Sequence, residues 1–137
     1  MERAGRSIGM TITLNHTIVN ATDKHASATF MTELLGLAPP VTYGPFVVVQ
    51  IGDTSLDFAD DHAPRGFQRQ HYAFLVSEEE FDAIWGRIRV RGLTFWADPY
   101  HHAEGTINHH DGGRGLYWKD PDGHNLEIIT VPYGGRP

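Results

Sequence analysis

Apolar and polar positions alternate with a changing period along this chain, and the changes of period come twice in the same order. From Thr11 to Val19 the even positions carry Ile12, Leu14, His16 and Ile18, the two-residue period of a strand with one buried face, which puts His16 on the side of the apolar set. Thr22 and Asp23 suit the N-cap of a helix over Lys24–Leu35, with Phe30, Leu34 and Leu35 as its buried stripe and Gly36 as its stop. Pro39 and Pro40 keep the next segment out of helix, and Phe46–Ile51 and Ser55–Ala59 read as strands flanking a turn at Gly52-Asp53-Thr54.

The second half repeats the order. His71–Val76 reads as a strand, and Ser77-Glu78-Glu79-Glu80 as a capping box for a helix whose Phe81, Ile84, Trp85 and Ile88 share one face and which Gly92 ends. Thr94–Ala97 is a short strand. Arg114–Lys119 and Asn125–Val131 form a last hairpin through Asp120-Pro121-Asp122-Gly123. A turn centred on Asp122 sets Lys119 against Asn125, Trp118 against Leu126 and Tyr117 against Glu127, so Tyr117 and Glu127 share one surface. Each half is a strand and a helix followed by three more strands, and the fold class is α+β.

The repeat extends to the chemistry. His16 and His71 open the two halves, and Leu56-Asp57-Phe58 and Leu126-Glu127-Ile128 close them. The second half carries about fifteen additional residues, which fall in the histidine-rich loop 98–113. Two imidazoles and one carboxylate, His16, His71 and Glu127, suffice to hold a divalent ion while leaving positions open to substrate or oxygen. Tyr117, beside that carboxylate, is either a hydrogen-bond donor to a metal-bound oxygen or an aromatic cross-strand partner. The metal-ligand candidates are therefore His16, His71 and Glu127, and the catalytic candidates Tyr117 and Glu127.

Composition narrows the field. The chain has 137 residues without a low-complexity linker, enough for one domain over residues 1–137, with module one at about 11–60 and module two at about 70–133. A net charge of -6 with 11 basic residues argues against nucleic acid as a partner and leaves small molecules. Cysteine is absent, so disulfides, thiolate metal sites and a cysteine nucleophile are excluded. No apolar run suits a signal peptide or a membrane span, so the expectation is a soluble, cytoplasmic protein.

The order of elements, ending in Gly-Leu-Tyr-Trp-Lys-Asp-Pro-Asp-Gly-His-Asn-Leu-Glu-Ile at 115–128, resembles the vicinal oxygen chelate superfamily, which includes glyoxalases, extradiol dioxygenases, fosfomycin thiol transferases and bleomycin resistance proteins. The resemblance spans Thr11 to Tyr133, and Asp120 to Glu127 is its most specific part. It implies two tandem βαβββ modules whose curled mixed sheets form a cup, assembled as a homodimer. The family's metal ligands fall on His16, His71 and Glu127, all matching by type. A fourth ligand found in some glyoxalases falls on Asp57, where this chain has aspartate in place of glutamate. The modules either pair within one chain or are exchanged across a dimer.

With those ligands the ion has open positions for two neighbouring substrate oxygens; Fe(II) or Mn(II) fits the set best, with Zn(II) and Ni(II) as alternatives. The leading functional reading is a metal-dependent dioxygenase or lyase acting on a small molecule. The alternatives are a fosfomycin-type thiol transferase, which needs a cationic pocket from Lys119, Arg114 and Arg136, a glyoxalase-type isomerase using Asp57, and a metal-free binding or resistance protein. His101, His102, His109 and His110 belong to a solvated loop, with His102 or His109 as the candidate that leans over the cup as acid or base. Trp96 is a candidate pocket residue, and Phe46, Phe58, Tyr72 and Phe74 are candidate walls. Trp85 and Trp118 are assigned to the core or an interface. His124 falls on the face opposite Glu127 and is not counted as a ligand.

Overall fold

A computed structural model describes residues 11–135. Module one comprises β1 (His16–Ala21), α1 (Lys24–Leu35), β2 (Val41–Tyr43), β3 (Phe46–Ile51) and β4 (Thr54–Asp60). Module two comprises β5 (His71–Leu75), α2 (Glu78–Val90), β6 (Phe95–Trp96), β7 (Gly115–Lys119) and β8 (Asn125–Ile129). Each module is a four-stranded mixed sheet, in the orders β1-β4-β3-β2 and β5-β8-β7-β6. The first strand runs parallel to the last, and the others pair antiparallel. The two βαβββ units expected from the sequence are both present.

Local chemistry sets the ends of the helices. Asp23 caps α1, its carboxylate accepting from the Ala26 amide at 3.1 Å, and Gly36 ends it with a φ of 71° that costs glycine little. Thr22, the other candidate cap, turns its hydroxyl to Asp122 in module two at 2.6 Å. At α2 the capping box is complete: the Glu80 amide donates to the Ser77 hydroxyl at 3.1 Å, and the Ser77 amide donates to the Glu80 carboxylate at 2.8 Å. The buried set of α1 is Ser27, Ala28, Met31, Thr32 and Leu34, whereas Phe30 and Leu35 are only partly covered. Small residues on this face let α1 lie close to its sheet, a preference that the large apolar residues do not reveal.

One core joins the modules. Val19, Ala28, Met31 and Phe58 from the first pack in the same cluster as Phe81, Ile88, Trp118 and Ile128 from the second. The helices meet where Arg87 donates to the carbonyl of Leu34 at 3.0 Å and Arg91 pairs with Glu33 at 2.7 Å. Among the described residues, no helix is long and apolar enough to cross a membrane.

Two differences from the sequence pattern bear on function. First, β1 starts at His16, and its buried residues are Val19 and Ala21. The even-numbered face expected to be buried lies open, with Ile18 52% exposed and Ile12 and Leu14 more so. The helix covers the other side of the sheet, and the side that carries His16 is left open by the described residues. Second, Phe58 is fully buried beneath the sheet and does not form a wall of the cup.

Candidate metal centre

Strand register places the candidate ligands. In module two, β5 pairs His71 with Asn125 and Ala73 with Glu127, and β7 pairs Tyr117 with Glu127 and Lys119 with Asn125. Partners in a ladder share a face, as do residues two apart on one strand. His71, Asn125, Lys119, Glu127 and Tyr117 therefore lie on one surface, the concave face away from the helix. In module one the same register sets His16 against Ser55 and Ile18 against Asp57. Asp57 is thus the counterpart of Glu127, as His16 is of His71.

The two halves differ in what these positions do. His71 Nε2 lies 3.0 Å from Glu127 Oε1, and His71 Nδ1 lies 2.9 Å from the Asn125 carbonyl oxygen. That carbonyl only accepts, so a neutral His71 carries its proton on Nδ1 and turns the lone pair of Nε2 toward a carboxylate oxygen. Two electron pairs facing each other require a cation, either a second ring proton or a metal ion. The 3.0 Å separation is that of an N–H···O hydrogen bond and equally that of cis ligands of a six-coordinate ion, which lie about 3 Å apart with bonds of about 2.1 Å. The backbone carbonyl that orients the imidazole is the partner metal-bound histidines commonly have. On this ground the residues present fit a divalent ion.

Glu127 is 2% exposed, a carboxylate sunk in the sheet and surrounded by donors. Tyr133 donates its hydroxyl to Glu127 Oε1 at 3.1 Å. Tyr117, 5% exposed, stacks on His71 with ring centroids 6.0 Å apart. Burial, then its hydrogen bond to Glu127 and the charge of that carboxylate, hold the Tyr117 phenol far above the ordinary tyrosine pKa. It stays protonated and acts as a donor. The expected juxtaposition of Tyr117 and Glu127 is present, and Tyr117 is both an aromatic partner and a hydrogen-bonding one.

His16 stands apart from this group. Its Nδ1 meets the Asn15 side chain at 2.7 Å, and it lines an open cup of about 530 Å³ with Phe46, Val48, Ser55 and Asp57. Asp57 accepts from the Ser55 hydroxyl at 2.8 Å. Among the described residues of one chain, no three His, Asp or Glu side chains are grouped as metal ligands. One chain thus joins His71 to Glu127 and leaves His16 on the other half-cup.

Among the loop histidines, His101 is the one that reaches the site: its Nε2 lies 2.9 Å from Asn125 Oδ1, and its ring stacks on Trp96 at 3.9 Å. His102 and His109 are exposed. Spacing gave no means of choosing His101, because a left-handed φ of 63° turns it inward. Tyr133 was missed for a similar reason; it arrives from beyond the last strand on a turn that has no periodic signal. His124 is buried on the opposite face, accepting from the Gln70 amide at 2.9 Å and donating to the Asn20 carbonyl at 2.8 Å. Tyr72 and Phe74 pack against the core, while Phe46 does line the first cup. Arg114, counted toward a cationic pocket, binds Glu78 and Asp82 on α2, each at 2.8 Å. Arg136 lies outside the described residues.

Comparison with known proteins agrees with this architecture. The sequence profile of the Glyoxalase/Bleomycin resistance protein/Dioxygenase superfamily matches residues 13–128. Solved structures of oxidase ChaP-H1 and oxidase ChaP-H2 are 60% and 59% identical to this chain. Each has a TM-score of 0.88, and the matches cover 91% and 93% of this chain and 100% of those. The glutathione transferase FosA of Serratia marcescens is 32% identical over 128 residues, which cover 90% of this chain and 84% of FosA. With two βαβββ modules and a profile match over nearly all of both, this chain belongs to the glyoxalase/bleomycin resistance protein/dioxygenase superfamily.

Proposed function

We propose that the protein is a divalent-metal-dependent oxidase of the dioxygenase type, acting on a small organic substrate through two neighbouring oxygens. The observation that carries this reading is the 60% identity to oxidase ChaP-H1 across that whole chain, joined to the His71–Glu127 geometry. We further propose that the active molecule is a homodimer in which His16 of one copy completes the ligand set of His71 and Glu127 in the other. Three features support the exchange. His16 is exposed and the His71 side chain, though bonded to Glu127, is 43% accessible, β1 and β5 are edge strands, and module one exposes Ile18, Val41 and Tyr43.

In this reading the Asn125 carbonyl orients His71 through Nδ1–H, leaving Nε2 to bind. Glu127 supplies the anionic oxygen, and its burial prevents water from displacing it. Tyr117, kept protonated, donates to Glu127 and holds that carboxylate in one rotamer. The bound ion, Fe(II) or Mn(II) by preference, supplies Lewis acidity toward adjacent substrate oxygens and, if redox-active, a place for dioxygen beside them. A thiol transferase acting on fosfomycin is favoured by the likeness to FosA. It is disfavoured by the pairing of Arg114 with Glu78 and Asp82, which removes one of the cations counted toward a phosphonate pocket.

Coexpression tests the shared site. A heterodimer of a His16→Ala chain with a His71→Ala chain keeps one intact site if ligands come from both copies, and none if each copy builds its own. The expected metal content is one ion per heterodimer, with oxygen uptake restored in the presence of catechols. No metal in the purified heterodimer would refute the exchange, and full metal in both homodimeric variants would refute the ligand assignment.

A further inference from the structure

A second recess adjoins the Glu127 row on the same face of the sheet. It encloses about 730 Å³ between the turn joining β7 to β8 and the loop after β6, and Arg69, Pro99, His101, Lys119, Asp122 and Asn125 line it. Lys119 and Asn125 each lie two residues from the Tyr117–Glu127 pair, about 7 Å along the strands.

Two cations and two carboxylates line this recess, and the carboxylates are engaged by neutral hydrogen-bond donors rather than by the cations. Asp122 spends its carboxylate on the Thr22 amide and hydroxyl and on the Ser27 hydroxyl, at 3.1, 2.6 and 3.2 Å, all in module one. Asp120, 6% exposed, accepts from the Asp122 and His124 amides, each at 2.9 Å, and burial raises its carboxyl above the ordinary aspartate value. Arg69 gives only Nε to the Asp122 carbonyl, at 3.3 Å. Lys119 holds its ammonium 5.7 Å from the centre of the Trp96 ring. Neither cation has a carboxylate partner among the described residues, in a chain of net charge -6.

One wall of the recess is built to hold its shape. The Asp98 carboxylate accepts from the amides of His102 and Ala103 at 2.8 and 2.7 Å, and these bonds pull its pKa down. That clamp keeps His101 in its left-handed conformation, stacked on Trp96 and bonded to Asn125. Strain retained by such a clamp recurs where a side chain must meet a ligand.

The geometry points to a subsite for the carboxylate of an aromatic acid, bound by Lys119 and Arg69 with the ring lying against the Trp96–His101 stack. This rests on the reading of the same face as the active site: an acid anchored here extends its ring toward His71 and Glu127, and the subsite selects acidic aromatic substrates.

The test uses metal-free, chelator-treated protein, so that its outcome is independent of the metal centre. Isothermal titration calorimetry compares 2-naphthoate with 2-naphthol, ligands of similar size of which only the first is charged at neutral pH. A charge-assisted contact predicts that 2-naphthoate binds about tenfold more tightly and loses that advantage as salt is raised. Lys119→Met is expected to bring the two within about twofold of each other, and Arg69→Gln to reduce the preference in part, with 2-naphthol unchanged in both. Lys119 is exposed and its side chain makes no hydrogen bond or ion pair among the described residues beyond its contact with the Trp96 ring, so its variant keeps the fold. Equal affinities in the wild type, or an undiminished preference in the double variant, would overturn the subsite. A failed heterodimer experiment with an intact naphthoate preference would instead locate the error in the metal reading.

Discussion

At the scale of the residue, the candidate centre depends on a buried acid and the donors around it. Replacing Glu127 with Gln keeps the volume and the contact with Tyr133 but removes the charge that faces His71 Nε2. The expected result is a loss of divalent-ion affinity of about tenfold or more, measured by competition with a chromophoric chelator. Tyr117 makes a pH prediction for the metal-free protein. Its pKa is raised on folding, so its stabilising contribution is complete below the unfolded value of about 10 and is lost as pH rises from there toward the folded value. Urea unfolding followed from about pH 9 to about pH 11 should show stability falling with pH in the wild type and falling less in Tyr117→Phe. A wild-type curve that is flat over this range would contradict the buried, protonated phenol. The Tyr117–Glu127 pair was legible in the sequence because a short turn determines register. Tyr133 and His101 were not, since their positions come from loop torsions rather than a repeat.

At the scale of the element, much of the chain could be read from caps and turns. Lys24–Leu35 and Phe46–Ile51 have the observed boundaries, and the Ser77–Glu80 box opens α2. That box has a measurable worth: Ser77→Ala should destabilise the protein by about 1 kcal/mol in urea, because an amide of the first turn loses its partner. The turn of the last hairpin is equally constrained. Gly123 has a φ of 85°, and a Cβ there would stand 2.5 Å from Arg69 Nε. What the sequence did not yield is which side of β1 is covered. Alternation from Thr11 favours the even-numbered face, but within the strand as formed, His16–Ala21, Ile18 stands on that face and Val19 and Ala21 on the other, and the helix covers the latter.

At the scale of the whole molecule, the modules are held together by polar contacts as well as the shared core. His124 takes the Gln70 amide on one nitrogen and the Asn20 carbonyl on the other, and Asp122 reaches Thr22 and Ser27. His124→Ala would remove the hydrogen bonds to the Gln70 amide and the Asn20 carbonyl and open a cavity where the buried imidazole stood. The expected cost is about 2–4 kcal/mol, read from chemical denaturation with an unchanged m-value. Sequence reasoning placed His124 on the face away from Glu127 but did not foresee this bridge, which joins residues more than a hundred positions apart. By itself the sequence determined the two βαβββ modules, the pairing of Tyr117 with Glu127 and the exclusion of thiolate chemistry, because periodicity, turn length and composition are local properties. Only the tertiary structure decided that His71 meets Glu127 while His16 lies on the other half-cup, that Arg114 is consumed by α2, and that Lys119 and Arg69 have no ion-pair partner among the described residues. Those outcomes depend on how two sheets and their helices are oriented in space, and no interval along the chain encodes that orientation.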